Sequence, residues 1–234
     1  MVSTRRNIWI TRTQPAAEAT AERVRALGHT AFVAPLLSVH PLEAARIDLE
    51  GVSALAFTSA NAVRAFAGKT PDRALRVFAV GAATAQAAKA AGFKTVLHTS
   101  GDVLTLARGL VERRRELTGV VLHPGAAEQA GDLVGALEKH NVAARALTVY
   151  ETRPVQLGPD ELAALPSLDI ALIHSPRAAK ALAGVLRAHP APQLRVLAIS
   201  KAALQPLARC ALSTKLFAPS PLEADLLNLI DLAS

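Results

Sequence analysis

Short apolar runs recur along the chain. Each ends in a small or hydroxyl-bearing tetrad that opens an alanine-rich helical pattern. Ala56-Phe57-Thr58-Ser59-Ala60-Asn61 is one copy, Phe78-Ala79-Val80-Gly81-Ala82-Ala83-Thr84 another and Val121-Leu122-His123-Pro124-Gly125 a third. Ile173-His174-Ser175-Pro176-Arg177 and Ala198-Ile199-Ser200-Lys201-Ala202 complete the set. Each reads as a buried strand, a tight turn and a helix start. Such a unit points unpaired backbone N–H groups and a positive dipole end away from the carboxyl edge of a sheet. Several together suit a ligand with many negative charges.

The same periodicity predicts the rest. Residues 7–12 read as a strand, 15–27 as a helix closed by Gly28, and 30–37 as the next strand. This β-α-β unit requires a parallel sheet. Pro35 and His40-Pro41 interrupt it. From Val52 the alternation resumes, with strands at 52–58, 75–80, 94–98 and 119–123 and helices at 60–67, 82–91, 102–115 and 129–140. A longer extended run spans 143–153. After the break from Arg153-Pro154 to Gly158-Pro159, strands are expected at 168–174, 194–199 and 215–218, with helices at 176–188, 201–208 and 222–232.

Strand–helix alternation throughout predicts an α/β fold with parallel sheets. Two strands are too few for a sheet alone, so the early unit is expected to join the three C-terminal strands. The expected domains are a discontinuous one, residues 1–36 plus 155–234, and an inserted one, residues 44–147. Residues 37–43 and 148–154 are the linkers.

Composition narrows the chemistry. Of 234 residues, 51% are hydrophobic but only 3% aromatic, so the core must be built from Val, Leu, Ile and Ala. A single cysteine, Cys210, excludes an intrachain disulfide framework and a cysteine zinc site. The seven histidines form no i, i+4 pair, so no metal is expected. The start lacks an apolar stretch of signal-peptide length, and no apolar run of about 18 residues exists, so a cytoplasmic protein with no membrane partner is expected. Net charge is +7. Residues 44–147 contribute +4 and the remainder +3, so the excess forms no basic tail.

Other α/β functions fail on particular residues. No phosphate-binding G-x-x-x-x-G-K-[ST], dinucleotide G-x-G-x-x-G or nucleophile G-x-S-x-G occurs. Thr11-Arg12-Thr13 stands where a phosphoacceptor protein needs acids. Aromatics for stacking on nucleic acid are scarce, so no nucleic-acid partner is expected.

The strand-end turns carry the candidate site. Ser59, Thr84 and Ser175 are its hydroxyls, and Gly81 and Gly125 let backbone approach a ligand closely. The ordinary reading is capping and turn chemistry found in any α/β protein. His123 and His174 end strands beside these turns and read as capped or solvated imidazoles. Tyr150, the single tyrosine, ends the extended run. It reads either as a strand aromatic packed between domains or as a phenol facing a cleft. A phenol holds its proton at neutral pH and could donate it to a leaving oxygen.

Ile10-Thr11-Arg12, Phe57-Thr58-Ser59-Ala60-Asn61-Ala62-Val63, Ala79-Val80-Gly81-Ala82-Ala83-Thr84-Ala85, Val149-Tyr150-Glu151-Thr152-Arg153-Pro154 and Ser175-Pro176 together resemble the uroporphyrinogen-III synthase family. The resemblance implies two flavodoxin-like, doubly wound parallel-sheet domains joined by a two-stranded linker, with substrate in the cleft between them. It implies a lyase of haem biosynthesis that closes hydroxymethylbilane, a linear tetrapyrrole with eight carboxylates, to uroporphyrinogen III with inversion of ring D. The family uses no cofactor or metal. The resemblance also implies a monomer, with substrate handed over by the preceding enzyme. Tyr150 matches the family's candidate for assisting hydroxyl departure, and Ser59, Thr84 and Ser175 its cleft hydroxyls. Asn61, Gly81 and Gly125 lie in the matching turns. Arg12 is either a carboxylate partner or a structural ion pair. Two turns depart from the family: His123-Pro124-Gly125-Ala126-Ala127-Glu128 lacks an arginine common there, and Ser200-Lys201-Ala202-Ala203 replaces a glycine followed by threonines. Lys201 offers a point charge in their place. The alternatives are a non-catalytic two-lobed binder of a small polyanion and a divergent, inactive paralogue.

Overall fold

The computed structural model describes residues 5–128 and 131–232. Its strands in chain order are β1 (Asn7–Ile10), β2 (Thr30–Val33), β3 (Leu37–Pro41), β4 (Val52–Phe57), β5 (Arg76–Val80), β6 (Val96–Thr99), β7 (Val120–Ala126), β8 (Ala144–Pro154), β9 (Ile170–Ile173), β10 (Arg195–Ala198) and β11 (Thr214–Phe217). The helices are α1 (Ala16–Ala26), α2 (Ala60–Ala67), α3 (Gly81–Ala90), α4 (Val103–Glu112), α5 (Leu133–Glu138), α6 (Pro159–Ala164), α7 (Pro176–Ala188), α8 (Lys201–Leu204) and α9 (Glu223–Leu232). The chain forms two compact units, one from the residues up to Ser38 and from Arg153 onward, the other Val39–Thr152.

The first unit holds a five-stranded sheet in the order β11-β10-β9-β1-β2, with every pairing parallel. Strand side chains alternate between its faces. Ile8, Ile10, Ile170, Leu172 and Leu197 enter the core beneath α1 and α9. Trp9, Ala171, Ile173, Val196 and Ala198 enter the one beneath α7 and α8. Covering both faces explains why these strands read as continuous apolar runs. Trp9, fully buried, donates its Nε1–H to the Ala34 carbonyl at 2.8 Å, which satisfies the one polar atom of the largest core side chain. From the centre, β1 leads outward through α1 to β2, and β9 leads the other way through α7 to β10. The winding therefore reverses between β1 and β9.

The second unit holds a six-stranded sheet in the order β3-β8-β7-β4-β5-β6. Leu55, Phe57, Val77 and Leu122 face one core, and Ala54, Ala56, Phe78 and Val121 the other. Here β4 leads through α2 to β5, while β7 leads through α5 to β8, so the winding reverses between β4 and β7. The pairings of β4 through β8 are parallel. The β3–β8 ribbon is antiparallel: Leu42 N–H donates to the Val149 carbonyl and Val155 N–H to the Leu36 carbonyl, both at 3.0 Å.

The expected elements differ from these in informative places. The strand expected at 30–37 ends at Val33, and a separate strand, β3, starts at Leu37. The segment Val121 to Gly125 does not turn at His123-Pro124: β7 continues through Gly125 to Ala126, with a register shift against β8 between them. An irregularity of that kind lets proline and glycine sit within a strand. Positions 129 and 130 of the helix expected at 129–140 lie outside the described residues. Beyond them α5 runs Leu133–Glu138, and Asp132 is its N-cap, its carboxylate accepting from Gly135 N–H at 2.8 Å. Helix α6 was not expected, although Pro159 at its first turn with Asp160 and Glu161 is a recognisable start.

Candidate functional site

In the second unit the carboxyl ends of β4 and β7 are neighbours, and Tyr150 of β8 pairs with Ala126, the last residue of β7. Ser59 follows β4 and caps α2, its Oγ accepting from Asn61 N–H at 3.1 Å. Tyr150 of β8 is 7% exposed, with its ring in the core and its hydroxyl donating to Ser59 Oγ at 3.4 Å. The phenol proton therefore points at the positive end of α2. A hydroxyl that accepts from a backbone N–H still has its own proton to donate, so the capping role of Ser59 leaves it able to bind an anion. The Asn61 side chain accepts from Arg64 at 2.5 Å.

Across the winding reversal, His123 is buried and its Nδ1 lies 2.7 Å from the Ala56 carbonyl. A carbonyl only accepts, so Nδ1 carries the proton. Burial pushes the His123 pKa down, against the pull of that carbonyl. Of the capped or solvated imidazole expected, the structure shows a buried, hydrogen-bonded one, which stitches β7 to β4. Gly125 is buried one residue before the end of β7.

Helix α3, like α1 and α6, has no side-chain cap. Its N-cap is Val80, with no side-chain hydrogen bond to the first turn, whereas Ser59, Asp102, Asp132, Ser175 and Ser200 each cap a helix through their side chains. Gly81 enters α3 with φ of +74°, a left-handed conformation that glycine adopts freely. Ala82 and Ala83 are exposed, and Thr84 is buried behind them. The N–H groups of this ten-residue helix are thus open to an acidic ligand.

In the first unit, Thr11 Oγ1 donates to the Leu172 carbonyl at 2.6 Å and ties β1 to β9, as His123 ties β7 to β4. Ser175 Oγ accepts from Ala178 N–H at 3.1 Å and Ser200 Oγ from Ala203 N–H at 3.2 Å. Lys201 is exposed beside the latter. Arg12 lies 3.2 Å from Glu223, which begins α9 and also receives Thr20 and Arg23. His174 Nε2 lies 3.9 Å from the same carboxylate, and the His174 ring nitrogens have no hydrogen-bond partner. Burial, then repulsion from Arg12, pushes the His174 pKa down to about 3 against the pull of Glu223. Burial would raise the Glu223 pKa, but Thr20, Arg12, Arg23 and His174 together hold it below its ordinary value. Burial likewise lowers the Arg12 pKa, opposed by Glu223.

Sequence reasoning placed Ser59, Asn61, Gly81, Thr84 and Gly125 in the inserted domain, Tyr150 in a linker, and Arg12, Ser175 and Lys201 in the discontinuous domain; Tyr150 falls in the second unit with the first five. The turns it expected after β4, β5, β9 and β10 fall at carboxyl strand ends, whereas the one expected at Gly125 lies within β7. It did not single out Glu223 or Thr20. The available signal for Glu223 was an acid in the first turn of the expected C-terminal helix. No group of three His, Cys, Asp or Glu side chains is placed to hold a metal among the described residues. No helix there is long and apolar enough to cross a membrane.

Two doubly wound sheets, each with its winding reversal at a carboxyl edge, define an open α/β protein of the class that binds ligands at such edges. The family model of uroporphyrinogen-III synthase HemD matches residues 18–228, and the chain belongs to that family. Among solved structures, the uroporphyrinogen-III synthetase of Helicobacter pylori has a TM-score of 0.63 at 18% identity, over 97% of this chain and 98% of that one. A mutant uroporphyrinogen III synthase of Thermus thermophilus has a TM-score of 0.54 at 16% identity, over 98% of each chain. These likenesses are of fold. No curated protein sequence matches the chain.

Proposed function

We propose that the chain closes hydroxymethylbilane to uroporphyrinogen III with loss of water and inversion of ring D. The observation that carries the reading, beside family membership, is the Tyr150 hydroxyl lying on Ser59 at the start of α2. Tyr150 gives its proton to the departing hydroxyl, which leaves as water, and the bilane becomes an electrophilic azafulvene. Ring D attacks through its already substituted carbon to give a spiro intermediate. That intermediate breaks and recloses in the inverted sense, and the proton finally lost from the ring system returns to Tyr150. The dipole of α2 and the Ser59 hydroxyl favour the transient phenolate. Intrinsic reactivity resides in the substrate, so the protein acts chiefly by holding one folded conformation of it.

The eight carboxylates need many donors. In the second unit we assign these to the open N–H groups at Gly81 and the residues after it, with Thr84, Ser59, Asn61 and the backbone at Gly125. In the first unit we assign them to Ser175 and Lys201. Arg12 serves a carboxylate of the substrate only by exchanging it for Glu223. On this reading the enzyme is a cytoplasmic monomer that takes its bilane from the enzyme producing it.

The decisive experiment supplies freshly made hydroxymethylbilane, oxidises the products and separates the porphyrin isomers. The inverted type III isomer is expected. Type I isomer alone, at the rate seen without protein, would falsify the proposal.

A further inference from the structure

Between Asp169 and Glu223 the chain carries seven lysines and arginines and no aspartate or glutamate. This stretch alone equals the net charge of the whole protein, +7. It builds β9, β10, β11, α7 and α8, and β11 is an edge strand.

Beside β11 it forms an open hollow of about 630 Å³, lined among others by Lys201, Leu204, Gln205, Ala208, Lys215 and Phe217. That is the size of a small-molecule site (roughly 300–1,000 Å³). Phe217 ends β11 at the carboxyl edge of the sheet. It is 45% exposed, whereas Trp9, Phe57, Phe66, Phe78, Phe93 and Tyr150 are buried. Lys215 is anchored, its Nζ donating to the carbonyls of Ala208 and Cys210, each at 2.9 Å, so its stem forms wall. The exposed Lys201 ammonium meets no hydrogen-bond or ion-pair partner among the described residues. An uncovered aromatic face and an unengaged cation therefore share one apolar hollow with no acid in its lining.

We propose that this hollow is a subsite for one acid-bearing pyrrole ring of the substrate. The ring lies on Phe217 and its carboxylate meets Lys201. The assignment rests on the function proposed above. A planar, electron-rich ring carrying carboxylates complements an aromatic wall and an ammonium, and the acid-free surroundings leave no competing anion to repel it. Phe217 is a binding residue here and takes no part in bond making.

The test uses wild-type protein, Phe217→Ala, Phe217→Trp, Lys201→Gln and Lys201→Arg. Two readouts apply: steady-state kinetics on hydroxymethylbilane, and fluorescence titration with uroporphyrin, a stable octacarboxylate. Phe217→Ala is expected to weaken uroporphyrin binding and raise KM, each about tenfold, with kcat within about twofold. Phe217→Trp restores both. Lys201→Gln raises KM about threefold and flattens its salt dependence, and Lys201→Arg retains most affinity. Equal uroporphyrin affinity in wild type, Phe217→Ala and Lys201→Gln overturns the subsite. So does self-association of the wild type that Phe217→Ala abolishes without changing uroporphyrin binding, since a second copy then covers the patch. Failure of the wild type to form the inverted isomer overturns the proposed reaction alone, because the titration still decides the subsite.

Discussion

The Tyr150 hydroxyl lies 3.4 Å from Ser59 Oγ, beyond the usual O–H···O range, while that same oxygen accepts from the N–H of Asn61. The phenol proton is thus aimed at the start of a helix but held weakly, and little must be broken to transfer it. Tyr150→Phe keeps the packed ring and removes only that proton. The expected result is a fall in kcat of about 10²-fold, at the low end of general-acid effects, with KM within about twofold. Ser59→Ala is expected to lower kcat less and to cost about 1 kcal/mol of stability through its lost cap. Turnover with isomer separation and thermal melting check both. Unchanged kcat in Tyr150→Phe removes Tyr150 from the chemistry.

The open start of α3 gives a second prediction. Gly81 sits at φ of +74°, and alanine there is strained by about 1 kcal/mol or more. Gly81→Ala should lower the melting temperature modestly and raise KM, because the N–H groups at Ala82 and Ala83 shift away from the ligand. An unaltered KM together with the lowered melting temperature would show that α3 holds no substrate carboxylate.

His174 makes stability depend on pH. Its folded pKa is about 3 and its ordinary value 6.5. The unfolded chain therefore takes up the proton first as pH falls. The contribution of the neutral ring is intact above about pH 6.5 and is lost progressively between pH 6.5 and 3. Glu223, held below its ordinary value, acts in the same sense at lower pH: its contribution is present above 4.5 and disappears as pH falls through the depressed folded value. Urea unfolding should show a loss on the order of 1–2 kcal/mol between pH 7 and pH 5, reduced in His174→Leu. A wild type whose stability is flat over that range contradicts the assignment.

Glu223→Ala is expected to be the most destabilising change among the polar residues described in the first unit. It strands Arg12 half-buried beside His174 and removes the acceptor of Thr20 and Arg23. A cost of about 2–3 kcal/mol follows, below that of a fully buried pair. Replacing both partners, Arg12→Met with Glu223→Leu, should recover much of it. Chemical denaturation of wild type, Arg12→Met, Glu223→Leu and the double variant measures the coupling as a double-mutant cycle.

Much of this was legible in the linear sequence. Strands β4, β5, β9 and β10 are short apolar runs between helical patterns because both of their faces are covered, and the serine caps of α2, α7 and α8 mark their boundaries. What was hidden has a physical cause in each case. The edge strand β3 contains His40 and Pro41 and lacks the apolar run of a strand covered on both faces. Gly125 looks like a turn because the signal for an irregular strand is the same as that for a chain reversal. Arg12 and Glu223 are 211 residues apart, and no local pattern announces a contact set by the order of strands. The Tyr150–Ser59 meeting was only half visible: both residues stood out, but their adjacency depends on β8 lying next to β7 in the sheet.

The strand order also governs how the nascent chain matures. In the five-stranded sheet β1, near the N-terminus, lies between β2 and β9, and β9 is synthesised about 160 residues after it. Val39–Thr152, by contrast, is one uninterrupted stretch. On the ribosome the interior segment can complete its own sheet while the apolar face of β1 waits for its neighbour. Any chaperone that shields this protein during translation should therefore be recruited by the opening residues and released only once the last third of the chain has emerged.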